Sequence, residues 1–63
     1  MAIECDWIFL NRDGTVARQT ISEPRVPSVN DGKIFSGIGY EVVFVGEKLV
    51  SRKNPLVLAV EHP

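Results

Sequence analysis

Residues 2–10 alternate in polarity, with Ile3, Cys5, Trp7 and Phe9 at every second position. A period of two places those side chains on one face of an extended strand. The run ends in Asn11-Arg12-Asp13-Gly14-Thr15. Asn suits the first position of a type I turn and Asp suits the third. Gly tolerates the left-handed conformation that closes a G1 bulge. A loop of Arg12, Asp13 and Gly14 pairs Asn11 with Thr15 and so sets a register. Leu10 faces Val16, Phe9 faces Ala17, Ile8 faces Arg18, Trp7 faces Gln19 and Cys5 faces Ile21. The second strand is expected over about residues 15–21. One side of this hairpin then carries Ile3, Cys5, Trp7, Phe9, Ala17 and Ile21, a predicted core face. The other side carries Glu4, Asp6, Arg18 and Thr20 at one end, and Ile8, Leu10 and Val16 at the other.

No later segment holds a helical period, and β-branched residues, Gly and Pro recur throughout. Residues 23–32 read as a connector, because Pro24 and Pro27 cannot donate to a central ladder and Asn30-Asp31-Gly32 is a turn. A short strand follows at 33–35. Ser36-Gly37-Ile38-Gly39 predicts a tight turn into a strand at 40–45, with Tyr40, Val42 and Phe44 on one face and Val43 and Val45 on the other. A strand apolar on both faces suits a central position. Gly46 and Glu47 open a polar excursion through Arg52, Lys53, Asn54 and Pro55, with Leu49 and Val50 as a short strand inside it. The last strand is expected at 56–61, with Leu58 and Val60 inward. Short strands joined by tight turns need curvature to bury one face. The expected fold is all-β, a small five- to six-stranded antiparallel barrel or roll, forming one domain over residues 1–63.

The segment Val26-Pro27-Ser28-Val29-Asn30-Asp31-Gly32-Lys33-Ile34, followed by Gly37, Tyr40, Val42 and Val45, resembles small SH3-like barrels. Many of those have a Pro-x-Val-Gly-Asp entry, a short strand, a Gly turn and a Tyr-x-Val strand. Asn30 stands where that pattern prefers Gly. The resemblance covers residues 26–45 and implies a fold but no activity. A second likeness fails on chemistry. Residues 7–16 look like the first motif of haloacid-dehalogenase-like phosphatases, an apolar strand ending in Asp-x-Asp-Gly-Thr. Here Asn11 occupies the nucleophile position. An amide cannot attack a phosphoryl group or supply the charge that holds magnesium, so the segment reads as a hairpin turn.

A chain of 63 residues buries only about 60% of the surface its unfolded form exposes. Such domains usually need a further source of stability. Cys5 is the sole cysteine, which excludes an internal disulfide and suits a reducing compartment. One Cys and one His make a zinc site unexpected, and no cofactor is predicted. Self-association remains as the common alternative. Cys5 and His62 would be the one thiol–imidazole pair, but Cys5 falls in the core alternation and His62 near the chain end, so no enzyme is expected. No segment has the apolar length of a membrane helix, and Glu4 and Asp6 interrupt any leader-like run, so a cytoplasmic location is expected.

Two partner surfaces follow. Ile8, Leu10 and Val16 form an apolar group on the face otherwise assigned to solvent, and such groups mark interfaces. Either the barrel curls so that both faces of this hairpin are covered or the group meets a partner. A chain of 63 residues can hardly wrap a two-sided sheet, so a homo-oligomer or a larger protein partner is expected there, with the chain acting as an interaction module, adaptor or inhibitor. Lys48, Arg52 and Lys53 are the alternative, an anion or nucleic-acid contact with Tyr40 or Trp7 as stacking surface if exposed. A net charge of -1 offers that alternative little electrostatic drive.

Overall fold

The computed structural model describes residues 2–46 and 53–62. Five strands lie among them: β1 (Ile3–Leu10), β2 (Val16–Glu23), β3 (Gly32–Phe35), β4 (Ile38–Gly46) and β5 (Leu56–Glu61). They form one sheet in the order β2-β1-β5-β4-β3. The expected strand at Leu49 and Val50 lies outside the described residues.

The first hairpin folds in the register that its turn dictates. Leu10 pairs with Val16, Ile8 with Arg18, Trp7 with Gln19 and Cys5 with Ile21, and the ladder runs on to Ile3 and Glu23. Asn11 N donates to Thr15 O at 2.9 Å and Gly14 N to Asn11 O at 3.0 Å. Gly14 takes a φ of 90°, the left-handed conformation a G1 bulge requires. The second hairpin is tighter than expected. Phe35 pairs with Ile38, leaving only Ser36 and Gly37 in the loop. Both have positive φ, 52° and 78°, which is the type I′ geometry that matches strand twist. Ile38 and Gly39 therefore belong to β4 and not to the turn.

The sheet is not wholly antiparallel. β5 is antiparallel to β4 but parallel to β1, with Ile8 opposite Leu58 and Leu10 opposite Val60. A parallel pair needs a long crossover. The second strand, the proline-bearing connector and the second hairpin supply it. Nor does the sheet close. β2 and β3 are its two outer strands, and the sheet curls into a half-barrel with a gap between them. Lys33 of β3 reaches Glu23 of β2 across that gap, Nζ to Oε2 at 2.7 Å.

The concave face holds the core: Cys5, Trp7, Phe9, Tyr40, Val42, Val57 and Ala59, with Ile3, Ala17, Ile21, Phe35 and Val45 packed against them. Phe9 is the centre. Its ring lies 4.4 Å from Phe35, 4.7 Å from Tyr40 and 5.3 Å from Trp7, centroid to centroid. Lys33 Nζ sits 5.3 Å from the centroid of the Trp7 ring, so the clamp across the gap also covers the indole.

Two expected facings are reversed. The pairing of β4 with β5 passes from Val42–Ala59 to Phe44–Leu58, so Val43 is an extra residue in a β-bulge. A bulge shifts the side-chain parity beyond it. Tyr40 and Val42 stay in the core, Val45 joins them, and Phe44 turns outward at 51% exposure. In β5 the inward residues are Val57 and Ala59, whereas Leu58 and Val60 face the convex side, half-buried. Ala59 lies between Phe9 and Val42 in the ladders. Beside an aromatic cluster that already fills the curl, a small side chain fits and a leucine does not.

Candidate interaction surface

The convex face is built row by row from the pairings. One row reads Arg18, Ile8, Leu58 and Phe44 across β2, β1, β5 and β4. The next reads Val16, Leu10, Val60 and Glu41. Residues opposite one another in a ladder share a face, so the two rows form one surface. Its middle is wholly apolar: Ile8, Leu10, Leu58 and Val60. Leu56 extends it in the row below, opposite Asp6. These central side chains are half-buried by one another, while Val16 and Phe44 at the margin are 52% and 51% exposed. Gly46 beside Leu56 leaves room for the Phe44 ring, since a Cβ there would lie 3.1 Å from Phe44 Cε2.

Ile8, Leu10 and Val16 thus come together as expected, but they are one half of a surface twice as wide. Phe44, Leu58 and Val60 supply the other half. The sequence carried one readable signal for it. Residues 56–60 are apolar at every position, which means β5 has two apolar faces. The small side chain at Ala59 marks which face meets the aromatic residues.

Polar groups frame this surface. Below it, Asp6 Oδ1 accepts from Thr20 Oγ1 at 2.9 Å and from Asn54 Nδ2 at 3.2 Å. Glu41 closes one side, with His62 Nε2 at 3.8 Å from its carboxylate. Arg18 stands exposed at the diagonally opposite corner and has no ion-pair partner among the described residues.

Lys48 and Arg52 lie outside the described residues, and Lys53 is exposed. Trp7 and Tyr40 are each 2% exposed and offer no stacking surface. Cys5 is fully buried, and burial is the main cause that raises its thiol pKa, followed by the charges of Glu23 and Asp6. His62 meets Glu41 on the opposite face of the sheet, so thiol and imidazole are kept apart. Asp13 is a turn residue. It accepts from Thr15 N at 2.9 Å and Thr15 Oγ1 at 2.6 Å, and the bond from the Thr15 hydroxyl is the first cause that lowers its carboxyl pKa. Both Asp13 oxygen contacts are thus accounted for by hairpin geometry. Among the described residues no three His, Cys, Asp or Glu side chains gather as a metal site, and no helix is long and apolar enough to cross a membrane. The mouth of the half-barrel holds a cavity of about 120 Å³ beside Trp7, Glu23, Pro24 and Lys33, too small for most organic ligands.

No protein-family model, curated protein or solved structure matches this chain.

Proposed function

We infer that this chain is a non-enzymatic protein-interaction module whose working surface is the convex face of its sheet. The observation that carries this is the continuity of Val16, Leu10, Ile8, Val60, Leu58 and Phe44 across four strands, with its margins open at Val16 and Phe44. A small domain rarely leaves an apolar surface spanning four strands uncovered unless something docks on it. The curled sheet and the likeness of residues 26–45 to SH3-like barrels give the module its architecture in this reading. The weight rests on the surface, because such barrels host many functions. A reduced, buried Cys5 accords with work in a reducing compartment such as the cytoplasm.

The test is site-specific photo-crosslinking in the cells that make the protein. A photoreactive residue is placed in turn at Val16, at Phe44 and at Val29, a comparably exposed connector position at 51% exposure. Protein adducts from Val16 and Phe44, absent from Val29, are expected, whether the adduct is a second copy or another protein. Equal yields at all three positions, or none at the two convex ones, would refute the reading.

A further inference from the structure

We propose that the occupant of the convex surface is a second copy of this chain, related by a twofold axis. The proposal rests on the reading of that surface as a docking face and adds its partner and geometry.

The argument is charge placement. Arg18 lies at the β2 side of the lower row and Glu41 at the β4 side of the upper row. They stand at opposite corners of an apolar field three strand spacings wide, ~14 Å. A twofold axis lying in the interface, perpendicular to the line joining the two corners, exchanges them. Arg18 of each copy then meets Glu41 of the other, and the contact forms twice. The same operation lays Ile8, Leu10, Leu58 and Val60 on their symmetry mates. Among the described residues Arg18 and Glu41 mark diagonal corners of the apolar field, while the Asp6 carboxylate below it is engaged by Thr20 and Asn54. Opposite charges at diagonal corners complement each other across a twofold axis, which is the condition an isologous interface imposes. A strongly acidic or basic partner would leave one corner facing a like charge. The near-neutral chain, with a net charge of -1, is also free of the long-range repulsion that opposes self-association. Glu41 keeps room for this role, since its side chain is 39% exposed and His62 approaches no closer than 3.8 Å.

A field of this size is below the usual area of a permanent interface. The expected association is therefore weak, with a dissociation constant on the order of 10–100 µM. The test is sedimentation equilibrium on the whole chain, across about 5 µM to 1 mM, a range that brackets so small an interface. The mass should rise from the 7.0 kDa of one chain towards twice that value. Leu10→Glu should abolish the rise, but Leu10 is half-buried and its variant could lose the fold. The charge corners avoid that problem. Arg18→Glu or Glu41→Arg alone sets like charges together twice per dimer and should weaken association by about tenfold or more. The combined variant restores both contacts in reversed sense and should return to within about threefold of the parent.

A chain that stays monomeric throughout the range overturns the proposal. So does a dimer indifferent to both charge reversals, which would place the contact elsewhere, for instance at the open edge of β2. A monomer whose Val16 and Phe44 positions still crosslink to a different protein overturns the twofold pairing while leaving the docking face intact.

Discussion

Tyr40 joins the core to the first turn. Its ring packs on Phe9, and its hydroxyl donates to Asn11 Oδ1. Asn11 Nδ2 passes the connection to Thr15 Oγ1 at 2.9 Å, which in turn donates to Asp13. Burial is the first cause that raises the Tyr40 pKa, followed by the carboxylates of Glu61 and Asp13. In the unfolded chain a tyrosine ionises near pH ~10. Above that value the unfolded state releases its proton before the folded state does, so folding stability falls as pH rises through and beyond ~10. Urea denaturation from neutral to alkaline pH should show this loss in the parent and a flatter limb in Tyr40→Phe. The chain has one tyrosine, so phenolate absorbance follows that group alone. Asp13 works in the opposite sense. Its lowered folded pKa gives stability that is present above pH ~4 and lost as pH falls through the folded value.

At the scale of elements, the two hairpins differ in how local their instructions are. Asn11-Arg12-Asp13-Gly14-Thr15 states both turn and register, because a side-chain acceptor, a left-handed glycine and two β-rich flanks agree. The second hairpin is less well served. Ser36 holds a φ of 52°, a conformation in which Asn is much better tolerated than Ser. Ser36→Asn creates the favoured Asn-Gly pair and should stabilise the fold by about 0.5–1 kcal/mol, read as a raised urea midpoint at unchanged slope. A lower midpoint would show that the side chain of Ser36 is needed where it stands. The bulge at Val43 explains why the outward facing of Phe44 is not legible in the sequence. Strict alternation through Tyr40, Val42 and Phe44 predicts one shared face, and no turn residue announces the extra residue. The bulge arises where β4 changes its demands. Val42 N donates to Asp31 O at 2.9 Å on one side, while beyond Val42 the strand must keep pairing with β5 alone.

For the whole molecule, the open gap between β2 and β3 makes the Glu23–Lys33 pair a structural clamp. Its side chains are only 14% and 24% exposed. Removing one partner strands the other in a poorly solvated place. Lys33→Met should therefore destabilise by about 1–3 kcal/mol. Glu23→Leu together with Lys33→Met should recover most of that loss, since an apolar pair needs no solvation. Paired denaturation curves decide it, and a double variant no better than the single would mean the charges contribute beyond mutual neutralisation. The clamp bridges the gap beside Trp7, while the alternation along β1 and β5 that puts Trp7, Phe9, Val57 and Ala59 inward leaves Ile8, Leu10, Leu58 and Val60 on the outer face.

Sequence alone determined the all-β class, the first hairpin with its register and the core face from Ile3 to Phe9. These depend on residues close along the chain, where a period of two and a five-residue turn leave one arrangement. It also placed Ile8, Leu10 and Val16 together outside the core. Only the tertiary structure decided the parallel pairing of β5 with β1, the inward facing of Val57 and Ala59, and the exposure of Phe44. Each of these depends on residues far apart competing for one crowded interior. The aromatic cluster of Phe9 and its neighbours admits Ala59, Val57, Val42 and Val45 from β5 and β4 and leaves Phe44, Leu58 and Val60 on the opposite face, where they complete the convex surface.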